Sequence, residues 1–379
     1  MHLRWLFWAL LAAGVMAGCG PSPGPSAEAP VDTRATHTAL IDQSVASIPG
    51  PPWPAGDERG MANAIGPGTW LRCAHHMSRP GARVYELSHL RSNDMPQTPW
   101  GPPLTFQFRA TAGVPGTLDA WHAGELVSGE PGAQGTQMDA FGHWGTLTTP
   151  WDGELPFPVE QVIYYGGYTQ AEVKPAPGSP LRRLGIDKAP PIVTTAVLLD
   201  ARTHLGGGEV LVAGQQIQPA DIDAMIEAQG LAWRGILPGD VVYIYTGWSD
   251  HWDEDFYYDG GPGLSYDSAV YLAEKRIVLV ALDNPFTDAV NRGQFAGNSK
   301  PPPGGPPNIY TPVHYYNLTK AGIHNIQNAN LQAMASDKVW LSCTMILPLR
   351  VEGGTGSPVR PIAIGAPLLR VGAGNLPSR

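Results

Sequence analysis

Apolar residues along the chain fall in short runs between Gly- and Pro-rich turns, and the pattern within each run predicts its element. Val84-Tyr85-Glu86-Leu87-Ser88 has strand character, and Thr105 to Arg109 alternates as another strand would. Ile192 to Leu199 is a continuous β-branched and aliphatic run, the pattern of a central strand covered on both faces. Pro219 to Ile226 places apolar residues at helical spacing behind a proline, predicting a helix that Gly230 closes. Leu237-Pro238-Gly239-Asp240 then turns the chain into a second buried strand, Val241 to Tyr245, which runs out at Gly247. Ser265 to Lys275 reads as a helix and Ile277 to Leu282 as a strand ending at Asp283-Asn284. Polar groups thus stand at strand C-terminal ends, where open α/β sheets place their sites. Gly293 to Asn308 reads as a surface insertion, and Leu318 to Met334 as helical pieces.

The N-terminus has a different pattern. Met1-His2-Leu3-Arg4 and the apolar run from Trp5 to Ala17 have the basic and hydrophobic regions of an export signal, too short to span a bilayer comfortably. Residues 1–18 are therefore expected to be a signal peptide. Val15-Met16-Ala17-Gly18-Cys19 resembles a lipobox in which Cys19 becomes the lipidated first residue; the alternative is an ordinary cleaved signal. Residues 19–56, rich in Pro, Gly, Ser and Ala, are predicted to be a flexible tether, with the folded domain at 57–379. The expected location is the cell envelope, periplasmic or at the cell surface, with the membrane as a partner through the anchor.

Composition narrows the picture further. An apolar fraction of 43% with 15% charged residues supplies a substantial core, and 46 Gly and 39 Pro exclude an all-helical fold. The formal charge of -9 is spread without a basic stripe, so nucleic acid is excluded as a partner. Cys73 and Cys343 either pair, as an exporting compartment allows, or stand as two buried thiols; their spacing does not decide.

Candidate chemistry centres on Gly135-Thr136-Gln137-Met138-Asp139-Ala140-Phe141-Gly142-His143. A carboxylate and an imidazole four positions apart in a turn-rich setting suit divalent-metal binding or acid/base work. Taken alone, the same pair also fits a hydrogen-bonded turn. The segment resembles the signature of the cyclase family that includes kynurenine formamidases and isatin hydrolases. Glu86-Leu87-Ser88-His89 with Met95-Pro96, Pro238 to Trp248, Pro262 to Ser265, Val313-His314 before Gly322-Ile323, and Pro348 to Pro361 agree with it in order. Together they cover Arg83 to Ala363.

This resemblance implies an α/β protein with the swivelling β/β/α fold, a mixed sheet with flanking helices, and commonly a homo-oligomer whose neighbouring chains complete the pocket. It also implies a metal-dependent hydrolase of a small amide, lactam or ester. The family's metal centre is drawn from His-x-x-x-His-x-Asp-x-x-x-His, a later His and a following Glu. Here Ala133, Gln137 and Gln327 stand at the positions of the first two histidines and the Glu, while Asp139, His143 and His314 remain. The expectation is one divalent ion (Mn²⁺, Zn²⁺ or Mg²⁺) held by Asp139, His314, with or without His143, and the carbonyl oxygens of Gln137 or Gln327, with His143 as the catalytic proton carrier. Without a metal, Asp139 would orient His143 as a base, and backbone N–H groups of Gly353 to Gly356 would receive an oxyanion. Phe141 and Trp144 are expected to contact the small-molecule substrate, and Trp248 and Trp252 to be core. His122, His204 and His251 read as solvated or capping residues; His75, His76 and His324 take no assignment. The competing expectation is a noncatalytic small-molecule-binding lipoprotein on the same fold.

Overall fold

The computed structural model describes residues 33–122 and 124–368, so the signal segment at 1–18 and Cys19 lie outside the described residues. Nine strands form the main sheet: β1 (Arg83–Glu86), β2 (Gln137–Asp139), β3 (Ile192–Asp200), β4 (Val241–Tyr245), β5 (Leu279–Leu282), β6 (His324–Gln327), β7 (Leu341–Ile346), β8 (Gly356–Pro358) and β9 (Ile362–Gly365). Their order is β1-β9-β7-β3-β4-β5-β6-β2-β8. The centre, β3 to β6, is parallel, and both flanks are antiparallel. The continuous apolar runs of β3 and β4 are buried along nearly their whole length, as their composition requires.

Among the helices are α1 (Thr33–Ala46), α2 (Pro67–Met77), α3 (Pro219–Ala228) and α4 (Tyr266–Glu274). Helix α2 packs on β3, β7 and β9, while α3 packs on β3 and α4. Proline opens α3 at its first turn, and the Ser265 hydroxyl accepts the Ser268 N–H at the start of α4. The mixed sheet with flanking helices is the architecture expected from the sequence.

One local expectation is corrected and others are extended. The tether predicted for residues 19–56 is helical over Thr33–Ala46, and Ile41, Ser44 and Ile48 are buried, because α1 lies against α2. Thr105–Phe108 does form a strand, but it pairs with Glu125–Ser128 in a separate exposed ribbon. The stretch predicted to hold helical pieces contains a π-helical turn at Tyr316–Ala321, strand β6, and only then a short helix at Gln332–Ser336. The polar sequence His-Asn-Ile-Gln carries little strand signal; it is extended because β5 and β2 hydrogen-bond it from either side. His251 is half-buried, with its ring against Trp248 and Phe256. Cys73 and Cys343, left open by the sequence, form a disulfide between α2 and β7.

Candidate functional site

Strand β2 carries the Gln-Met-Asp centre of the motif, and its two-residue period decides what faces where. Met138 is buried against Ile326 of β6, its partner in register, while Gln137 lies opposite Gln327 and Asp139 opposite Gly356. Gln137 and Asp139 therefore share one face with Gln327. Thr136 fastens the strand, its hydroxyl donating to the Asn328 carbonyl (2.6 Å) and accepting the His89 N–H (2.9 Å). Arg91 donates to the carbonyls of Gln134 and Thr136. The motif glycines have separate duties: Gly135 adopts φ +60, and a Cβ on Gly142 would lie 2.7 Å from the Leu181 side chain and 3.1 Å from the Leu184 carbonyl oxygen.

His314 comes from the connection between β5 and β6, the strand beside β2. It lies in the short helix Pro312–Tyr315, whose N-terminus is capped from the loop after β5: Asp288 accepts the N–H groups of Val313 (2.6 Å) and His314 (3.1 Å). Asp288 also binds the imidazole Nδ1 at 2.5 Å, with the Thr287 hydroxyl 3.2 Å from the same nitrogen. The other nitrogen, Nε2, is 3.5 Å from Asp139 Oδ2 and 3.2 Å from Gln327 Nε2. Gln327 Nε2 donates to Asp139 Oδ2 at 2.7 Å. The result is a buried chain of carboxylate, imidazole and carboxylate, with a carboxamide held against one end.

These contacts set the charges. Burial alone raises the Asp139 carboxyl, but hydrogen bonding to His314, the charges of His143 and His314, and the Gln327 amide outweigh it and hold the group below its ordinary value. Burial lowers His314, yet the hydrogen bonds and charges of Asp139 and Asp288 dominate and raise it well above an ordinary histidine. His324, buried behind Asp139, is pushed down to about 4 by desolvation, against the hydrogen bond to the Asp139 carbonyl oxygen (3.1 Å).

Gln137, Asp139, His143, Trp144, His314 and Gln327 all line one cavity of about 360 Å³. His143 is exposed, and the Trp144 ring stands between those of His143 (5.7 Å) and His314 (5.3 Å). Phe141 is not among the lining residues. It is 1% exposed and stacked on His324 with ring centres 4.2 Å apart, so the expected substrate contact is instead a core residue supporting β6. Trp248 is buried as core; Trp252 stacks on His89 and lines a neighbouring cavity. Glycines 353 and 354 are not in the wall, though Thr355 is. The sequence reading missed Asp288 and the aromatic wall of Trp100, Tyr258, Phe286 and Phe295. Asp288 lies 26 residues before its partner, a separation that carries no periodic signal. Phe295 comes from the Gly- and Pro-dense stretch that reads as a surface insertion.

The expected metal ion finds only part of its donor set in this arrangement. Among the described residues no group of three or more His, Cys, Asp or Glu could hold one. Asp139 and His314 supply a single carboxylate and a single imidazole. An amide N–H₂, which has no lone pair to give, stands beside both, where a shared cation would need another donor. As arranged, the carboxylate, the imidazole and the adjoining N–H₂ leave the ligand set expected of a divalent metal incomplete.

A family model described as "Putative cyclase" matches residues 85–289. A crystal structure described as that of a novel cyclase aligns with a TM-score of 0.64 and 23% identity, covering 82% of this chain and 95% of that one. Isatin hydrolase A from Ralstonia solanacearum aligns with a TM-score of 0.51 and 20% identity, covering 75% of this chain and 92% of that one. No curated protein matches the chain.

Proposed function

Because the chain belongs to the cyclase family, with more than half its length matched, we propose that it is a hydrolase opening a small amide, lactam or ester bond. The observation that carries this reading is the convergence of Asp139 and His143, neighbours in one motif, with the sequence-distant His314 on one small aromatic-walled cavity. In the proposed reaction a water attacks the acyl carbon while His143 takes its proton. The acyl C–N or C–O bond then breaks, and His143 returns that proton to the departing nitrogen or oxygen. His314, held between Asp288 and Asp139, has its ring fixed against the site.

Turnover of a panel of small cyclic and N-acyl compounds tests this. Replacing His143 with Ala should lower the rate of an accepted substrate about 10²–10⁴-fold; undiminished turnover would remove His143 as the proton carrier. A second reading, noncatalytic binding of a small molecule, draws support from the Gln327 amide that engages the Asp139 carboxylate. Binding of panel compounds without turnover of any would favour it.

We also propose that the chain is exported and lipid-anchored through Cys19. The disulfide between Cys73 and Cys343 supports this, since such bonds persist in oxidising compartments.

A further inference from the structure

Three buried side-chain oxygens without a hydrogen-bond partner among the described residues, Gln137 Oε1, Thr311 Oγ1 and Gln327 Oε1, belong to residues that line the cavity of Asp139 and His314. Thr311 is 5% exposed and Gln327 2%. Buried polar atoms are nearly always paired, so such a group at a cavity wall marks where a ligand supplies the missing partner.

The chemistry of that partner follows from the oxygens. The Gln327 amide is oriented by its N–H₂, which donates to the ionised Asp139 carboxylate; its oxygen is thereby left as the free end. Gln137 sits directly opposite Gln327 across the β2/β6 pair, which brings the two side chains to neighbouring positions about 5 Å apart at Cβ. A carboxamide oxygen only accepts, so both require a donor. The rest of the wall includes Trp100, Trp144, Phe286 and Phe295, surfaces that suit a flat ring.

We infer that Gln137 and Gln327, with Thr311 in the same cavity wall, recognise the N–H of a planar amide or lactam and select it over the corresponding ester or N-alkylated compound. This rests on the hydrolase reading for its substrate, but concerns binding. The residues at positions where the family has metal ligands read the ligand here by hydrogen bonding.

Calorimetric titration of the purified protein with oxindole, N-methyloxindole and the lactone of the same ring skeleton tests the inference. Oxindole should bind at least about tenfold more tightly than either analogue, because each analogue leaves a buried acceptor unpaired. Gln137→Met and Gln327→Met keep side-chain length but remove the acceptor. In Gln137→Met, near-UV circular dichroism should match the wild type, and the preference should fall below about threefold. A wild-type preference below about threefold, no oxindole binding, or a preference retained in both variants would overturn the inference. Selective binding of oxindole without hydrolysis of any compound tried removes the hydrolase reading and leaves this one. Equal hydrolysis of amide and ester without selective binding does the reverse.

Discussion

His324 stands directly behind the candidate site, stacked on Phe141 and bonded through Nδ1 to the Asp139 carbonyl oxygen. Burial lowers it to about 4, so it is neutral in the folded protein and must acquire charge when acidified. A histidine with a depressed folded value contributes stability that is present above its ordinary value of about 6.5 and is lost as pH falls through about 4, a loss of up to about 3 kcal/mol. His89, also lowered to about 4 by burial, acts in the same direction. Asp283 opposes both: burial raises it to about 6, so its contribution is lost as pH rises toward that value. His324→Phe keeps an aromatic ring against Phe141 and leaves His89 and Asp283 unchanged. Urea unfolding at neutral pH and near pH 4 should therefore show a smaller acid loss in the variant. An identical loss in both proteins would contradict the assignment of neutral charge to His324.

Among the elements, helix α2 is the one whose importance the hydrophobic pattern conceals. Its tie to the sheet is covalent and ionic: Cys73 is bonded to Cys343 of β7, and Arg72 reaches the Pro238 carbonyl (2.7 Å) and Asp240 (3.3 Å) at the entry to β4. Asp240 is itself held by Arg234, so the Pro-Gly-Asp turn that the sequence announced has its acid buried between two guanidinium groups. The disulfide closes a loop of 270 residues, which restricts the unfolded chain. The paired change Cys73→Ser with Cys343→Ser should lower the unfolding free energy by about 2–5 kcal/mol, read as a reduced urea midpoint. A midpoint equal to that of the oxidised wild type would show that α2 is held by packing and Arg72 alone.

At the scale of the whole molecule, the disulfide and the proposed anchor point to the same compartment. If Cys19 carries lipid, Cys19→Ala should move most of the protein from the membrane fraction to the soluble exported fraction, as read by immunoblot; unchanged membrane association would end the anchor proposal. The sequence by itself determined the central strands β3 and β4 and helices α3 and α4, because continuous apolar runs and capping residues are local properties of the chain, whereas Asp139, His143, His314, Gln137 and Gln327 were singled out by the resemblance to a family. Tertiary structure decided the rest. A four-residue polar strand such as β6 is extended only because its neighbours pair with it, and Phe141 and Trp144, three positions apart, part between core and cavity according to which way the backbone turns after β2. Asp288 became the partner of His314, and Cys73 that of Cys343, through contacts between segments far apart in sequence. Local pattern carries no record of such distances, since they arise only when the sheet order brings the segments together.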